Sequence, residues 1–267
     1  MHNFLIWLLE KKEGALEIAF LNVFHILYLA IILAASIGLA FYLKSHSEKS
    51  EPVLRKLTYA LIAVYVADIF LQPFVSGADD FTMNIDKLPF HLCTVLCPIV
   101  AFVQFNKKFE KFIEPVAFLA VAAPLMYLVY PGSAIGEISP FCYKILQTFV
   151  YHGILLAWAI CTLASGKFTP KFKNCYKPLV LLAILAVWAT LGNFAYNTSY
   201  AGGDGNHHYD WLFLTGSSFG MSPYVMPFLS IAAIYGTTLC VYGLYFAWVK
   251  IWAKHEAKKA VKEVVNK

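Results

Sequence analysis

A run of apolar residues long enough to enter a lipid bilayer begins with Leu88-Pro89-Phe90-His91-Leu92-Cys93. The run brings an imidazole and a thiol with it. Such groups are costly in hydrocarbon unless they face a protein interior or a water-filled cavity, and inside membranes they mark functional sites. The hexapeptide therefore predicts both a membrane helix and the place where the chemistry of the protein is found.

The composition of the whole chain indicates a membrane protein. Hydrophobic residues make up 60% of the 267 residues and charged residues only 14%, whereas a soluble domain carries about 25% charged residues. Apolar stretches of roughly 20 residues, the length that crosses a bilayer, recur along the chain. We predict an all-α polytopic bundle in a single domain, with seven spans at residues 20–43, 57–75, 89–105, 112–130, 141–163, 179–200 and 223–252.

Lysine and arginine predict the orientation of the spans. They concentrate in the connections after spans 1, 3 and 5 and in the tail 253–267, whereas the alternate connections carry few of them and several aspartates. The positive-inside rule then places the N-terminus outside and the C-terminus in the cytoplasm. The net charge of +5 is thus explained by orientation and by anionic inner-leaflet lipid at the basic tail, not by nucleic acid.

Polar residues of five predicted helices share the outer half of the membrane. Because separate structural residues need not share one depth, this layer predicts a cavity that opens to the outer leaflet. Taken singly, a histidine or an asparagine often only bonds a neighbouring helix, so a structural role stays open for several of them. The polar residues of the layer are His25, Asp68, His91, Cys93, His152, Asn193 and Asn197.

Cys93 is the candidate nucleophile of this layer. Pro89 suits the first turn of a helix, which puts Cys93 within the first two turns. The helix N-terminus favours a thiolate there, while apolar burial opposes it. His91 and Cys93 are two residues apart and face nearly opposite sides of a regular helix. A base for the thiol is therefore expected from another helix.

His152 of the fifth span is the candidate base. Gly153 beside it permits the close approach of another helix or of an acyl chain. Either His25 or Asp68 is expected to orient the imidazole, so that nucleophile, base and orienting group come from separate helices.

The connection at residues 201–222 combines a glycine-rich polar stretch with an aromatic segment. Long loops with glycine hinges are typical of lids over a site. An ordinary interfacial loop with an aromatic belt is the alternative interpretation. His207 and His208 in this loop are weak evidence for a metal.

Besides an enzyme with a cysteine nucleophile, two other classes of function stay open. One is a binding or transport protein that holds a lipid or a small solute in the same outer cavity. The other is a metal-dependent membrane hydrolase, which is disfavoured because the seventh span contains no histidine.

The six cysteines include no CxxC pair and suggest neither a disulfide framework nor a zinc ribbon. No metal or other cofactor is predicted. The ligands of the alternative metal site would be His25, Asp68, His91 and His152.

The chain resembles the YwaF family of bacterial integral membrane proteins. The hexapeptide Leu88–Cys93 is similar to the family's Leu-Pro-Leu-His-Leu-Cys segment, and His152-Gly153 matches a family pair. His25 and Asn193 match a histidine and an asparagine of the family, and Asp68 stands where the family has a glutamate. The resemblance covers the first six spans.

This resemblance implies an activity. The family is related to eukaryotic membrane acyltransferases that remodel ether phospholipids with a cysteine nucleophile. By resemblance, Cys93 is the nucleophile, His152 is its base, and the substrate is a phospholipid or lysophospholipid. One segment departs from the pattern: the family has Asn-Tyr-x-Phe-Leu after a short link, and here Asp210-Trp211-Leu212-Phe213-Leu214 follows a longer glycine-rich loop.

Overall fold

A computed structural model describes residues 18–75, 87–131, 139–197, 209–215 and 220–265 of the chain. Each predicted span contains a helix, and the described residues form no sheet. Within them the α-helices are α1 (Val23–Ser45), α2 (Ser50–Val75), α3 (Leu92–Phe105), α4 (Ile113–Val129), α5 (Tyr143–Ala164), α6 (Tyr176–Asn197) and α7 (Met226–Val265).

Every helix differs from its predicted span by at least one residue, and the differences at α2, α3 and α7 change where charged residues or Pro89 lie. α2 begins at Ser50 rather than at residue 57, and its added first turns hold an ion pair between Glu51 and Arg55. α3 begins at Leu92, so Pro89 precedes the helix instead of lying in its first turn. α7 continues to Val265. The predicted basic tail is thus largely part of the last helix.

Five of the described helical segments are long and apolar enough to cross a membrane. They contain α1, α4, α5, α6 and α7. The other two helices are α3, which is apolar but only 14 residues long, and α2, which carries charged residues in its first turns. The protein is a multi-pass membrane protein with the helical bundle that its composition predicts. The direction in which the chain crosses the membrane stays a prediction.

The helices pack around a central pair, α4 and α5. α5 contacts α1, α2 and α4, whereas α4 contacts α3, α5, α6 and α7. Of the apolar stretch of α4, 72% of the residues are buried, against 17% for α1. Small residues let membrane helices approach closely, and a Cβ added at Gly153 of α5 would lie 3.1 Å from the side chain of Ile32 of α1. The peripheral helices present their apolar side chains to lipid.

Two carboxylates fasten the end of the bundle that we predict to be cytoplasmic. Glu51 of α2 forms ion pairs with Arg55 and with Lys167 of the α5–α6 connection. It also accepts a hydrogen bond from Gln104 of α3 at 3.1 Å.

Glu114 at the start of α4 forms the second attachment at this end. It accepts hydrogen bonds from the side chain of Asn174 at 2.8 Å and from the backbone N–H of Lys171 at 3.2 Å. Lys177 lies 3.7 Å from the same carboxylate. The α5–α6 connection is thereby attached to both α2 and α4.

Candidate functional site

The hexapeptide places Cys93, the candidate nucleophile, in the first turn of α3. His91 is the N-cap of this helix, with extended backbone (φ −71°, ψ 148°) and no capping bond from its own side chain. The hydroxyl of Thr94 ties the first turn to the preceding segment, because it lies 3.0 Å from the carbonyl oxygens of Leu88 and His91 and its single proton can be donated to either. Cys93 therefore lies nearer the helix N-terminus than predicted, and its side chain is partly exposed.

Side chains from three other helices bind backbone carbonyls of this segment. The hydroxyl of Tyr65 (α2) donates to the carbonyl of Lys87 at 2.7 Å. The indole N–H of Trp188 (α6) donates to Pro89 at 2.7 Å. The hydroxyl of Tyr151 (α5) donates to the carbonyl of Cys93 itself at 2.8 Å. These bonds fix the backbone on both sides of His91 relative to the bundle.

Phe90 anchors the hexapeptide through its ring. The ring stacks on Trp188 at a centroid distance of 5.1 Å and lies 4.7 Å from Trp211 of the α6–α7 connection. It also lies so close to α6 that a Cβ added at Gly192 would be 2.4 Å from its Cδ1. The position next to His91 is thus clamped between a helix and a loop.

Asp68 of α2 is buried and pairs with Lys87, just before the hexapeptide. Its Oδ2 lies 2.8 Å from the ammonium nitrogen, and the lysine side chain is 24% exposed while the carboxylate is 3% exposed. A buried charge needs such a partner. The predicted outer carboxylate therefore secures the chain that leads into α3, and it does not bond His152.

His152 of α5 is buried and held on two sides. Its Nδ1 lies 2.7 Å from the carbonyl oxygen of Thr148, and its ring stacks on Tyr127 of α4 at 4.1 Å with an angle of 8°. A carbonyl can only accept a hydrogen bond, so Nδ1 carries the proton and Nε2 of the neutral ring has a free lone pair.

The orienting group of His152 differs from the one expected. A backbone carbonyl of its own helix fixes the tautomer, rather than His25 or Asp68. Both ring nitrogens of His25 are engaged elsewhere: Nε2 lies 2.7 Å from the carbonyl of Leu128, and Nδ1 accepts from the N–H of Leu21 at 3.0 Å. His25 thus links α1 to the end of α4.

The nucleophile and base candidates are neighbours through Tyr151 and not through a direct bond. Tyr151 precedes His152 in α5 and binds the carbonyl of Cys93. The hydrogen bonds of the described residues include none between the Cys93 thiol and His152. The structure thus joins α5 to the turn that bears Cys93.

Asn193 and Asn197 bind the backbone of the α6–α7 connection. The amide of Asn193 donates to the carbonyl of Trp211 at 3.0 Å, and its oxygen accepts from the N–H of the same residue at 2.8 Å. Asn197 pairs with Tyr209 in the same two-bond manner, at 2.7 Å each. One turn apart on α6, the two amides form a short ladder with the loop.

Residues 209–215 of this connection are held against α6 and α7 by hydrogen bonds. Leu212 and Phe213 adopt left-handed backbone conformations (φ 60° and 57°). This conformation is costly for residues other than glycine and persists only where surrounding contacts impose it. The carboxylate of Asp210 accepts from the N–H of Thr215 at 2.7 Å, and Ser230 of α7 donates to the carbonyl of Phe213 at 3.3 Å. Residues 201–208 of the predicted lid, with His207 and His208, and residues 216–219 lie outside the described residues.

Sequence reasoning missed the residues that position the candidates. In the sequence, nothing distinguishes Tyr65, Tyr127 and Tyr151 from other aromatic residues of apolar helices. Thr148 contacts His152 through its backbone carbonyl, a group that every residue has. The one available signal is spacing, because Thr148 lies four residues before His152. Among the described residues, no three His, Cys, Asp or Glu side chains gather as a metal site would require.

One comparison with known proteins gives a match. The sequence profile of the TMEM164 family matches residues 20–240. That range contains every candidate site residue, from His25 in α1 to the amides of α6. No curated protein and no solved structure matches the chain. The resemblance to the YwaF family stays a prediction.

Proposed function

The chain belongs to the TMEM164 family, and from this premise we propose that it transfers or hydrolyses a fatty acyl group of a membrane lipid. Cys93 is the nucleophile of this reaction and His152 its base. The family includes the eukaryotic ether-lipid acyltransferases. Membership therefore supports a phospholipid or lysophospholipid as the substrate, in the outer leaflet if the predicted orientation holds.

The proposed reaction has two steps. The sulfur of Cys93 attacks the ester carbonyl carbon, a C–S bond forms, and the bond to the lipid alkoxide breaks. Nε2 of His152 takes the thiol proton and gives it to the departing oxygen. The hydroxyl of a lysolipid then attacks the thioester and completes a transfer, or water attacks and completes a hydrolysis; in either case the C–S bond breaks and His152 passes the proton of the attacking group to the Cys93 sulfur.

The observation that carries this proposal is the state of His152. The carbonyl of Thr148 holds the proton on Nδ1, which leaves Nε2 as a lone-pair nitrogen beside the tyrosine that binds Cys93. Catalytic hydrogen bonds are often long before substrate binds and tighten in the reacting complex. The proposal therefore requires the thiol and Nε2 to come together when the lipid ester arrives.

The proposed oxyanion donors are backbone N–H groups rather than the side-chain amide of Asn197. Asn197 is paired with Tyr209 at both ends of its amide. Backbone N–H groups in the first turn of a helix have no partner within the helix and suit a developing negative charge. The first turn of α3, which contains Cys93, supplies such groups next to the thiol.

The thioester is the species that tests the proposal. The purified protein is mixed with phosphatidylethanolamine and phosphatidylcholine that carry an isotope-labelled acyl chain, and its intact mass is measured. We expect a mass increase of one acyl group that neutral hydroxylamine removes. Cys93→Ala abolishes this adduct, and His152→Gln slows its formation by about 10²–10⁴-fold, the usual contribution of a general base.

Cys97 and Cys161 provide matched controls, since both are buried free thiols of the same bundle. Replacement of either by alanine leaves the adduct in place. Labelling of a different cysteine, or lipid turnover that survives Cys93→Ala, contradicts the mechanism. Tight lipid binding with no adduct and no turnover in the wild-type protein would instead indicate the binding or transport class.

A further inference from the structure

The last helix is far longer than the membrane requires. α7 contains 40 residues, which corresponds to about 60 Å at the rise of an α-helix, whereas the hydrocarbon core is about 30 Å thick. The segment of α7 that is long and apolar enough to cross a membrane ends at Lys254. The helix therefore passes through the headgroup region and continues beyond it without interruption.

Three lysines lie on one side of α7 where it leaves the apolar segment. Lys250, Lys254 and Lys258 follow one another at intervals of four residues, which places them on one side of a continuous helix. All three side chains are exposed. Within the described residues, none of the three has a carboxylate partner, since the ion pairs there involve other cations.

Three other cations at this end are engaged in ion pairs within the described residues. Arg55 and Lys167 pair with Glu51, and Lys177 lies against Glu114. Their charges hold the α5–α6 connection in place. The charges of the α7 lysines stabilise no contact in the described part of the chain and remain available for a ligand.

Aromatic side chains set the depth of the lysines. The ammonium of Lys44, at the end of α1, lies 5.6 Å from the ring centre of Trp248, and Trp252 lies 5.9 Å from Phe41. Tryptophan is enriched at the membrane–water interface. Lys250 and Lys254 flank Trp252 along the chain, so they lie at the level of the lipid headgroups.

We propose that the face of α7 formed by Lys250, Lys254 and Lys258 binds the headgroup of an anionic phospholipid in the adjoining leaflet. Leu244 and Ile251 are 69% and 67% exposed, and Ile251 stands three residues before Lys254 and seven before Lys258 on the same side of the helix. These side chains contact the acyl chains while the ammonium groups bind the phosphate. This site is separate from Cys93 and is independent of the proposed reaction.

Spin-labelled lipids in proteoliposomes measure this binding directly. The protein is reconstituted into phosphatidylcholine that contains a trace of spin-labelled phosphatidylglycerol or spin-labelled phosphatidylcholine, and the motionally restricted fraction of each label is recorded. We expect a preference for phosphatidylglycerol that falls by up to about fivefold for each lysine replaced by glutamine at low salt and that is lost in the triple Lys→Gln variant. High salt weakens the preference.

A matched variant separates a site from general surface charge. Lys107, Lys108 and Lys111 are exposed in the α3–α4 connection at the same end, and their triple replacement by glutamine removes equal charge. We expect it to leave the lipid preference nearly intact, and Lys→Arg changes on α7 to retain it. Equal losses for both triple variants, or no preference in the wild-type protein, would overturn the proposal.

Discussion

At Gly192 the absence of a side chain lets Phe90 reach α6. The ring of Phe90 fills the space that a Cβ would occupy, at 2.4 Å from its Cδ1 and 2.6 Å from its Cγ. Trp188 and Trp211 contact the same ring, so it has little freedom to move away. Since His91 follows Phe90 directly, this one contact helps to set where α3 begins.

Gly192→Ala is therefore expected to destabilise the protein, although alanine is the better helix former. Overpacking of a filled core costs about 1–3 kcal/mol. The matched control is Gly236→Ala in α7, where nothing lies within 4 Å of an added Cβ and the change should stabilise by up to about 1 kcal/mol. Thermal unfolding in detergent measures both. Equal melting temperatures for the two variants would contradict the packing argument.

Individual candidate residues were predictable where the chemistry lies in the side chain. His152 stands out because an imidazole is costly in an apolar helix, and Cys93 stands out because it follows His91 where a membrane helix begins. The partner of His152 was not predictable in the same way, because the carbonyl of Thr148 has no signature in sequence. Asp68 was recognised as a buried carboxylate, but its partner Lys87 lies outside the apolar runs.

At the scale of elements, the segment 209–215 depends on α6 for its structure. It contains only a short 3-10 turn at Trp211–Phe213, and two of its residues have left-handed backbone. The side-chain amides of Asn193 and Asn197 form hydrogen bonds with the backbone of this segment, as a neighbouring strand does in a sheet. Trp211, thus fixed, contacts Phe90 at the start of the hexapeptide.

Asn193→Ala should loosen this segment while the helices persist. It leaves the N–H and carbonyl of buried Trp211 without partners, at about 1–3 kcal/mol for each buried group. Hydrogen exchange of the amides in residues 209–215 is expected to accelerate strongly. Asn197→Ala serves as the milder comparison, because Asn197 and Tyr209 are only partly buried and water can replace the lost bonds. Unchanged exchange in both variants would rule out the ladder.

The helices were predictable as elements, and their limits were less so. Spans of about 20 apolar residues are required by the bilayer, so α4, α5 and α6 lie within a few residues of the predicted ranges. α2 and α7 extend into water, where no hydrophobic signal marks an end. The start of α3 depends on Thr94 and on long-range bonds from Tyr65 and Trp188, which sequence patterns do not contain.

At the scale of the whole molecule, the two ends of the bundle are fastened by different means. Around the hexapeptide, uncharged hydrogen bonds and aromatic contacts dominate among the described residues, which there include one ion pair, between Asp68 and Lys87. At the other end, Glu51 and Glu114 attach the α5–α6 connection to α2 and α4. Charge-based attachment responds to pH, so the two ends should differ in their response to acid.

Glu51 provides the test of this difference. Burial raises the pKa of its carboxyl, but hydrogen bonds and charges from Lys167 and Arg55 outweigh burial and leave the pKa below its usual value of 4.5. A lowered pKa in the folded protein contributes stability that is present above pH 4.5 and is lost as the pH falls through the folded value.

The contribution of Glu51 to the melting temperature in detergent should therefore be lost only as the pH falls below about 4.5, and it should be at most about 4 °C, since its ion pairs are partly exposed. Glu51→Gln is expected to remove that part and to start from a lower melting temperature at neutral pH. Glu110→Gln is the control, because Glu110 is an exposed carboxylate at the same end without an ion pair in the described residues. An acid response that is identical in all three proteins would show that Glu51 does not fasten this end.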